Sequence, residues 1–233
     1  MQDEHGTPID TARVEGDEQI IARYCIEKGA RVLELGARYG SVTYQIAQHA
    51  SHVVAVEPDA TVWGALENNL GMLLLKNVTL FKGFMSKTAQ ELIDQKNGYA
   101  KWSENNPDSK SKLYTLEEAE TIANGKIDTL VADCEGCLPT FLQENPEVWS
   151  SLRTVIYEAD RSDSADYRYV ESKLELNGFI HSLKGFQNVW VRGRRLSYLS
   201  WMALLFTSQN KYKLYILLGV LVACIGCYYY YNK

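Results

Sequence analysis

A chain of 233 residues with 46% hydrophobic and 23% charged content is long enough to bury one substantial core, and its composition excludes a disordered or collagen-like chain. The formal net charge of -5 argues against sequence-independent attachment to nucleic acid, which depends on clustered positive charge. Five cysteines are too few, and odd in number, for a disulfide framework. Positions 1–16 form a polar, acidic segment with no apolar h-region, so no cleaved secretory signal is expected and the domain is placed on the cytosolic side.

Ile20, Ile21, Tyr24 and Cys25 keep a helical spacing that predicts a helix over 17–28. The next stretch, RVLELGARYGS, reads as a buried strand through Val32, Leu33 and Leu35 that breaks at Gly36 and Gly40. Val42, Ile46 and Ala47 continue as a helix whose free N–H groups face the glycine loop. A strand at 52–56 ends at Glu57, Pro58 and Asp59, a helix follows over 61–75, and a third strand over 78–81 leads to Gly83, Phe84 and Met85. A helix is expected over 86–94, and the polar run 96–112 reads as a surface insertion.

A short helix within 113–124 precedes a fourth strand, 127–132, which delivers Asp133, Cys134, Glu135 and Gly136. After a helix over 138–145, the fifth strand, 154–157, ends in Glu158, Ala159 and Asp160. A helix over 165–176 and strands at 179–183 and 188–191 finish the domain, and the short connection between these strands makes them an antiparallel hairpin. The expected fold class is therefore α/β, a doubly wound, mostly parallel seven-stranded sheet with an antiparallel closing hairpin, spanning 17–193. The hairpin and the missing G-x-G-x-x-G fingerprint disfavour a dehydrogenase.

Residues 194–213 read as a basic and aromatic linker, and 214–231 carry no charge. A helix of that length spans about 27 Å, which predicts a transmembrane helix and a single-pass C-terminal membrane anchor. Lys211, Lys213 and the tyrosines 228–231 flank it as interfacial anchors, and Cys224 and Cys227 suit palmitoylation or lipid packing. Cys134 and Cys137 form a C-x-x-C with no second Cys/His pair to complete a zinc site.

In open parallel sheets the ligand lies outside the carboxyl ends of the strands, where these loops meet. The segments VLELGARYG, VVAVEPD, IDTLVADCEG and TVIYEAD together resemble the FkbM-type group of class I S-adenosylmethionine-dependent methyltransferases, over roughly 17–192. The chain is also similar to methyltransferases of large algal viruses that decorate capsid glycans. The resemblance implies a Rossmann-like methyltransferase domain, S-adenosyl-L-methionine as cofactor, and a hydroxyl of a sugar or related small molecule as acceptor. It implies that Glu34 and the loop Gly36, Ala37, Arg38, Tyr39 and Gly40 hold the methionine part, that Glu57 with Pro58 meets the ribose, and that Phe84 and Met85 flank the adenine. Arg38 replaces the family's small polar residue, and a guanidinium suits a carboxylate. Val131 stands where the family often has Lys, which removes any lysine-assisted role.

Asp133 would lie beside the reacting methyl. A sugar hydroxyl is a poor nucleophile near neutral pH, so a base or a metal must help it. Two arrangements are open: Asp133 alone as base, or Asp133, Glu158 and Asp160 as joint ligands of a magnesium or manganese ion. Glu135 reads either as a site carboxylate or as a helix-start acid, and His181 as a second base or a merely packed histidine. A non-catalytic nucleotide-binding module tethered to a membrane is the competing class.

Overall fold

The computed structural model describes residues 1–11, 13, 15–94, 101–160, 164–193 and 196–208. In chain order the elements are α1 (Gly16–Cys25), β1 (Arg31–Leu35), α2 (Ser41–Ala47), β2 (His52–Glu57), α3 (Trp63–Met72), β3 (Val78–Lys82), β4 (Phe84–Met85), β5 (Gln90–Asp94) and β6 (Lys101–Asn105). They continue as β7 (Leu113–Tyr114), α4 (Leu116–Ile122), β8 (Thr129–Ala132), α5 (Leu138–Glu144), β9 (Thr154–Glu158), α6 (Tyr167–Leu176), β10 (Phe179–Leu183), β11 (Gln187–Arg192) and α7 (Tyr198–Leu204).

Seven strands form one sheet in the order β10-β11-β9-β8-β1-β2-β3. Every neighbouring pair is parallel except the two that β11 makes, with β9 and with β10. The expected sheet and its closing hairpin are thus present, with the strand order reversing between β1 and β8. Its central strands are near-continuous aliphatic runs because both faces are covered. Val32, Val53 and Ala55 point to one face, beside Ile21, Ile46 and Leu66 of α1, α2 and α3. Leu33, Leu35, Val54 and Val56 point to the other, against Leu116, Phe141 and Leu174 of α4, α5 and α6. The alternation of side chains along each strand builds these two layers.

The chain between 86 and 112 departs from expectation. β5 pairs antiparallel with β6, with Gln90 opposite Asn105 and Leu92 opposite Ser103, so 86–94 is not a helix and 101–112 is not merely a surface insertion; 96–100 lie outside the described residues. The few apolar residues there, Leu92 and Ile93, carry no usable period, and the partner strand that satisfies their backbone groups is polar. α7 packs on α1: Ser200 Oγ donates to the Tyr24 carbonyl at 2.5 Å, and the Asp17 carboxylate accepts the Ser208 N–H at 2.8 Å. Leu196 and Leu204 join the core.

Among the described residues no helix is long and apolar enough to cross a membrane. No described helix therefore supplies the expected transmembrane helix, or the membrane localisation drawn from it. The segment 214–231 that carried the expectation, with Cys224 and Cys227, lies outside the described residues, as do 194, 195 and 209–213 of the linker.

Candidate active site

The glycine loop is held by the ends of three strands. Gly36 and Ala37 donate their N–H groups to the Val56 carbonyl at 3.0 and 3.1 Å, and Asp133 donates its own to Leu35 at 3.0 Å. Gly36 has φ 91°, and a Cβ there would stand 1.8 Å from the Asp133 carbonyl oxygen. The glycine is needed because the loop after β1 presses against the loop after β8. Neither backbone has room for a methyl group.

A cavity of about 290 Å³ opens at these carboxyl ends. Of the residues expected at the cofactor, Gly36, Arg38, Glu57, Pro58, Phe84 and Met85 line it, and so does Asp133. Glu34, Ala37, Tyr39 and Gly40 support the wall without being part of it. Lys101, Ser103 and Asn105 of β6 close another side, together with Gln90 and Leu92 of β5. Nothing in the sequence marks these hairpin residues as ligand-facing; their alternation becomes visible only once the strands pair.

Glu57 is 5% exposed. Its carboxylate accepts the Arg38 N–H and the Asp59 N–H, both at 2.7 Å. Burial pushes its pKa up to about 7, against the pull of those two bonds. Asp59 is fastened to the hairpin by Lys101 Nζ at 2.7 Å. Arg38 lies over the Tyr39 ring at 4.9 Å, and the Tyr39 hydroxyl donates to Glu4, so the N-terminal segment braces the loop from behind.

Asp133, Glu158 and Asp160 do converge: one carboxylate oxygen from each lies within 4.8 Å of the others. Only Asp133 of the three lines the cavity. Asp160 is oriented by the Glu135 N–H and the Tyr167 hydroxyl, both at 2.7 Å. Gln187 Nε2 donates to both Glu158 and Glu18. Burial first, and then the charge of Asp160 followed by Glu15 and Glu18, holds the Asp133 carboxyl well above the usual carboxylate range. Burial and the nearby Asp133 push Glu158 up as well. Glu15 and Glu18 belong to this acidic group, although at the start of a helix their sequence signal is indistinguishable from ordinary dipole-stabilising acids. His181 does not line the cavity; it stacks on Trp190 at 3.7 Å and bonds Asn188 at 3.0 Å within the closing hairpin.

Cys134 and Cys137 also line the cavity, and they are joined by a disulfide across a Cα separation of 5.5 Å. Counting cysteines did not anticipate it. Glu135 at φ 54° and Gly136 at φ 92° curl the loop so that two cysteines three apart face each other.

Glu34 is 1% exposed. Its Oε2 accepts the Thr43 hydroxyl at 2.6 Å, while its Oε1 has no hydrogen-bond partner among the described residues. Burial pushes its pKa up to about 8, so the folded chain keeps a proton that the unfolded chain releases. The resulting stability is whole below the unfolded-state pKa, near 4.5, and is lost as pH rises toward about 8. Glu34→Gln should flatten the fall in unfolding free energy between about pH 5 and about pH 8 by up to about 1.4 kcal/mol per pH unit. Urea titrations across that range measure it, and an unchanged slope would mean Glu34 does not titrate there.

No protein-family model and no curated protein matches this sequence. Solved structures do match. Methyltransferase FkbM from Methylobacillus flagellatus KT superposes with a TM-score of 0.50 at 12% identity, covering 71% of this chain and 44% of that one. A SAM dependent methyltransferase from Aquifex aeolicus gives 0.46 at 13% identity, covering 78% and 93%. The precorrin-6y C5,15-methyltransferase from Geobacter metallireducens GS-15 gives 0.46 at 15% identity, covering 76% and 85%. At such identities the likeness is one of fold alone, a mostly parallel seven-stranded sheet covered by helices.

Proposed function

We propose that this chain transfers the methyl group of S-adenosyl-L-methionine to a hydroxyl oxygen, the acceptor being a sugar or a related small molecule. The observation that carries the reading is Asp133, in the wall of the cavity that Glu57 and the glycine loop also line, with its affinity for a proton raised by burial and neighbouring carboxylates. Of the residues lining the cavity, Glu57 would hold the ribose, Phe84 and Met85 the adenine, and Arg38 the methionine carboxylate. Asp133 would take the acceptor's hydroxyl proton, while S-adenosylmethionine, when bound, would supply the methyl group to that oxygen and leave as its demethylated product. A carboxylate that binds protons this tightly is a better base than an exposed one.

The three converging carboxylates fit a hard divalent cation such as magnesium or manganese, which takes oxygen ligands. Asp133, Glu158 and Asp160 would hold it, and when bound it supplies Lewis acidity that eases loss of the acceptor proton. Burial and then mutual repulsion raise Asp133 and Glu158, and such an ion would relieve the repulsion.

Calorimetry of the 233-residue chain with S-adenosylmethionine and with its demethylated product should give dissociation constants in the micromolar range, as is common for enzyme ligands. Absence of heat with both would overturn the proposal. Transfer of labelled methyl to a panel of simple glycosides then tests the acceptor class separately.

A further inference from the structure

The edge of the sheet opposite the acidic site is basic. β1, β8, β9 and β11 are neighbours, and the antiparallel course of β11 brings its last residue to the edge where the other three begin. Arg31 opens β1, Arg153 immediately precedes β9 and Arg192 closes β11. Backbone bonds hold them in a row: Asp128 N–H to the Arg31 carbonyl at 3.1 Å, Arg153 N–H to Asp128 at 2.7 Å, and Arg192 N–H to Arg153 at 2.8 Å. Strands lie about 4.8 Å apart, so three guanidinium groups start from within about 15 Å of one another. With Lys126 they line a cavity of about 790 Å³.

Two of these four cations are already engaged. Arg192 donates to the Trp149 carbonyl at 2.8 Å, and Lys126 pairs with Glu120 at 2.7 Å. The side chains of Arg31 and Arg153 make no hydrogen bond or ion pair among the described residues. The Arg31 guanidinium rests against Gly125, where a Cβ would stand 2.8 Å from its Nε. The acids facing the same cavity are Glu27 and Asp128, and Asp128 accepts the Arg31 N–H at 3.2 Å and the Thr129 hydroxyl at 2.9 Å. With the Lys126–Glu120 pair set aside, three arginines face two acids in the cavity.

We infer that this groove binds a multiply charged phosphate group, such as a diphosphate or triphosphate, free or carried on a nucleotide or nucleic-acid backbone. Planar guanidinium forks match phosphate oxygens two at a time, and a row of them matches consecutive phosphates. The groove shares no residue with the methyl-transfer site, so the inference stands whether or not that reading does.

Inorganic triphosphate is the probe, because it has no adenosine to enter the other cavity. Titrated into the 233-residue chain in divalent-free buffer, it should bind saturably, and more weakly at about 200 mM than at about 50 mM salt. The double variant Arg31→Gln, Arg153→Gln should weaken binding at least about tenfold, while Arg31→Lys, Arg153→Lys, which keeps both charges, should lose less. Far-ultraviolet circular dichroism confirms that both variants fold. A single-stranded oligonucleotide that binds more tightly than triphosphate, with the same dependence on these arginines, makes the polymer the source of the phosphates. No saturation at low salt, or affinity unchanged in the double glutamine variant, overturns the inference.

Discussion

Asp133→Asn should lower the rate of methyl transfer by about 10²–10⁴-fold, the usual contribution of a positioned base, while the affinity for S-adenosylmethionine changes little. Asn has the same shape as Asp, and the backbone bond from residue 133 to Leu35 is untouched, so the loop keeps its place. What disappears is the proton acceptor and one carboxylate of the cluster with Glu158 and Asp160. In the wild-type chain the rate should climb with pH, because burial and neighbouring acids delay the ionisation of Asp133. A chelator separates the two versions of the mechanism: an unaffected rate leaves Asp133 as a simple base, and a rate reduced to that of Asp133→Asn assigns the cluster to a cation. An Asp133→Asn enzyme with wild-type turnover would remove Asp133 from the chemistry altogether.

Gly36→Ala should be the most damaging single-methyl change in the chain. The new Cβ overlaps the Asp133 carbonyl oxygen at 1.8 Å, and neither atom is on a side chain that can rotate away. The residue is also held at φ 91°, a conformation that costs an L-residue about 1–2 kcal/mol; overpacking adds about 1–3 kcal/mol. Together they predict a loss of about 2–5 kcal/mol in urea unfolding and a melting point lower by at least about 5 °C. Because the carbonyl it strikes belongs to Asp133, any folded fraction should also transfer methyl slowly. A loss under about 0.5 kcal/mol, the size of a neutral surface change, would mean that the loops after β1 and β8 are not pressed together.

Much of this architecture is legible from residue type alone. β1, β2, β8 and β9 are buried on both faces, so their sequences are mostly apolar, Glu34 being a buried exception, and a polar residue at the end of such a run, Glu57, Asp133 or Glu158, marks the carboxyl edge of the sheet. The hairpin of β5 and β6 was hidden because each strand depends on the other; Lys101, Ser103 and Asn105 are polar, so β6 shows no apolar alternation to betray a strand. Glu15 and Glu18 were hidden by their position on α1, and their contribution to Asp133 arises from helix packing that no local pattern encodes. The disulfide needed two successive left-handed residues, which a count of cysteines cannot supply. Gly36 was legible as a turn, but the reason for it, the approach of a second backbone, was not.

The antiparallel course of β11 places Gln187 beside Glu158 and Glu18 at one end and Arg192 in the basic groove at the other. Five residue steps separate the two, roughly 17 Å. Carboxyl groups gather at one edge of the sheet and arginines at the other. A polyanion held in the proposed groove would therefore sit at the opposite end of the strands from the cavity that Asp133 lines.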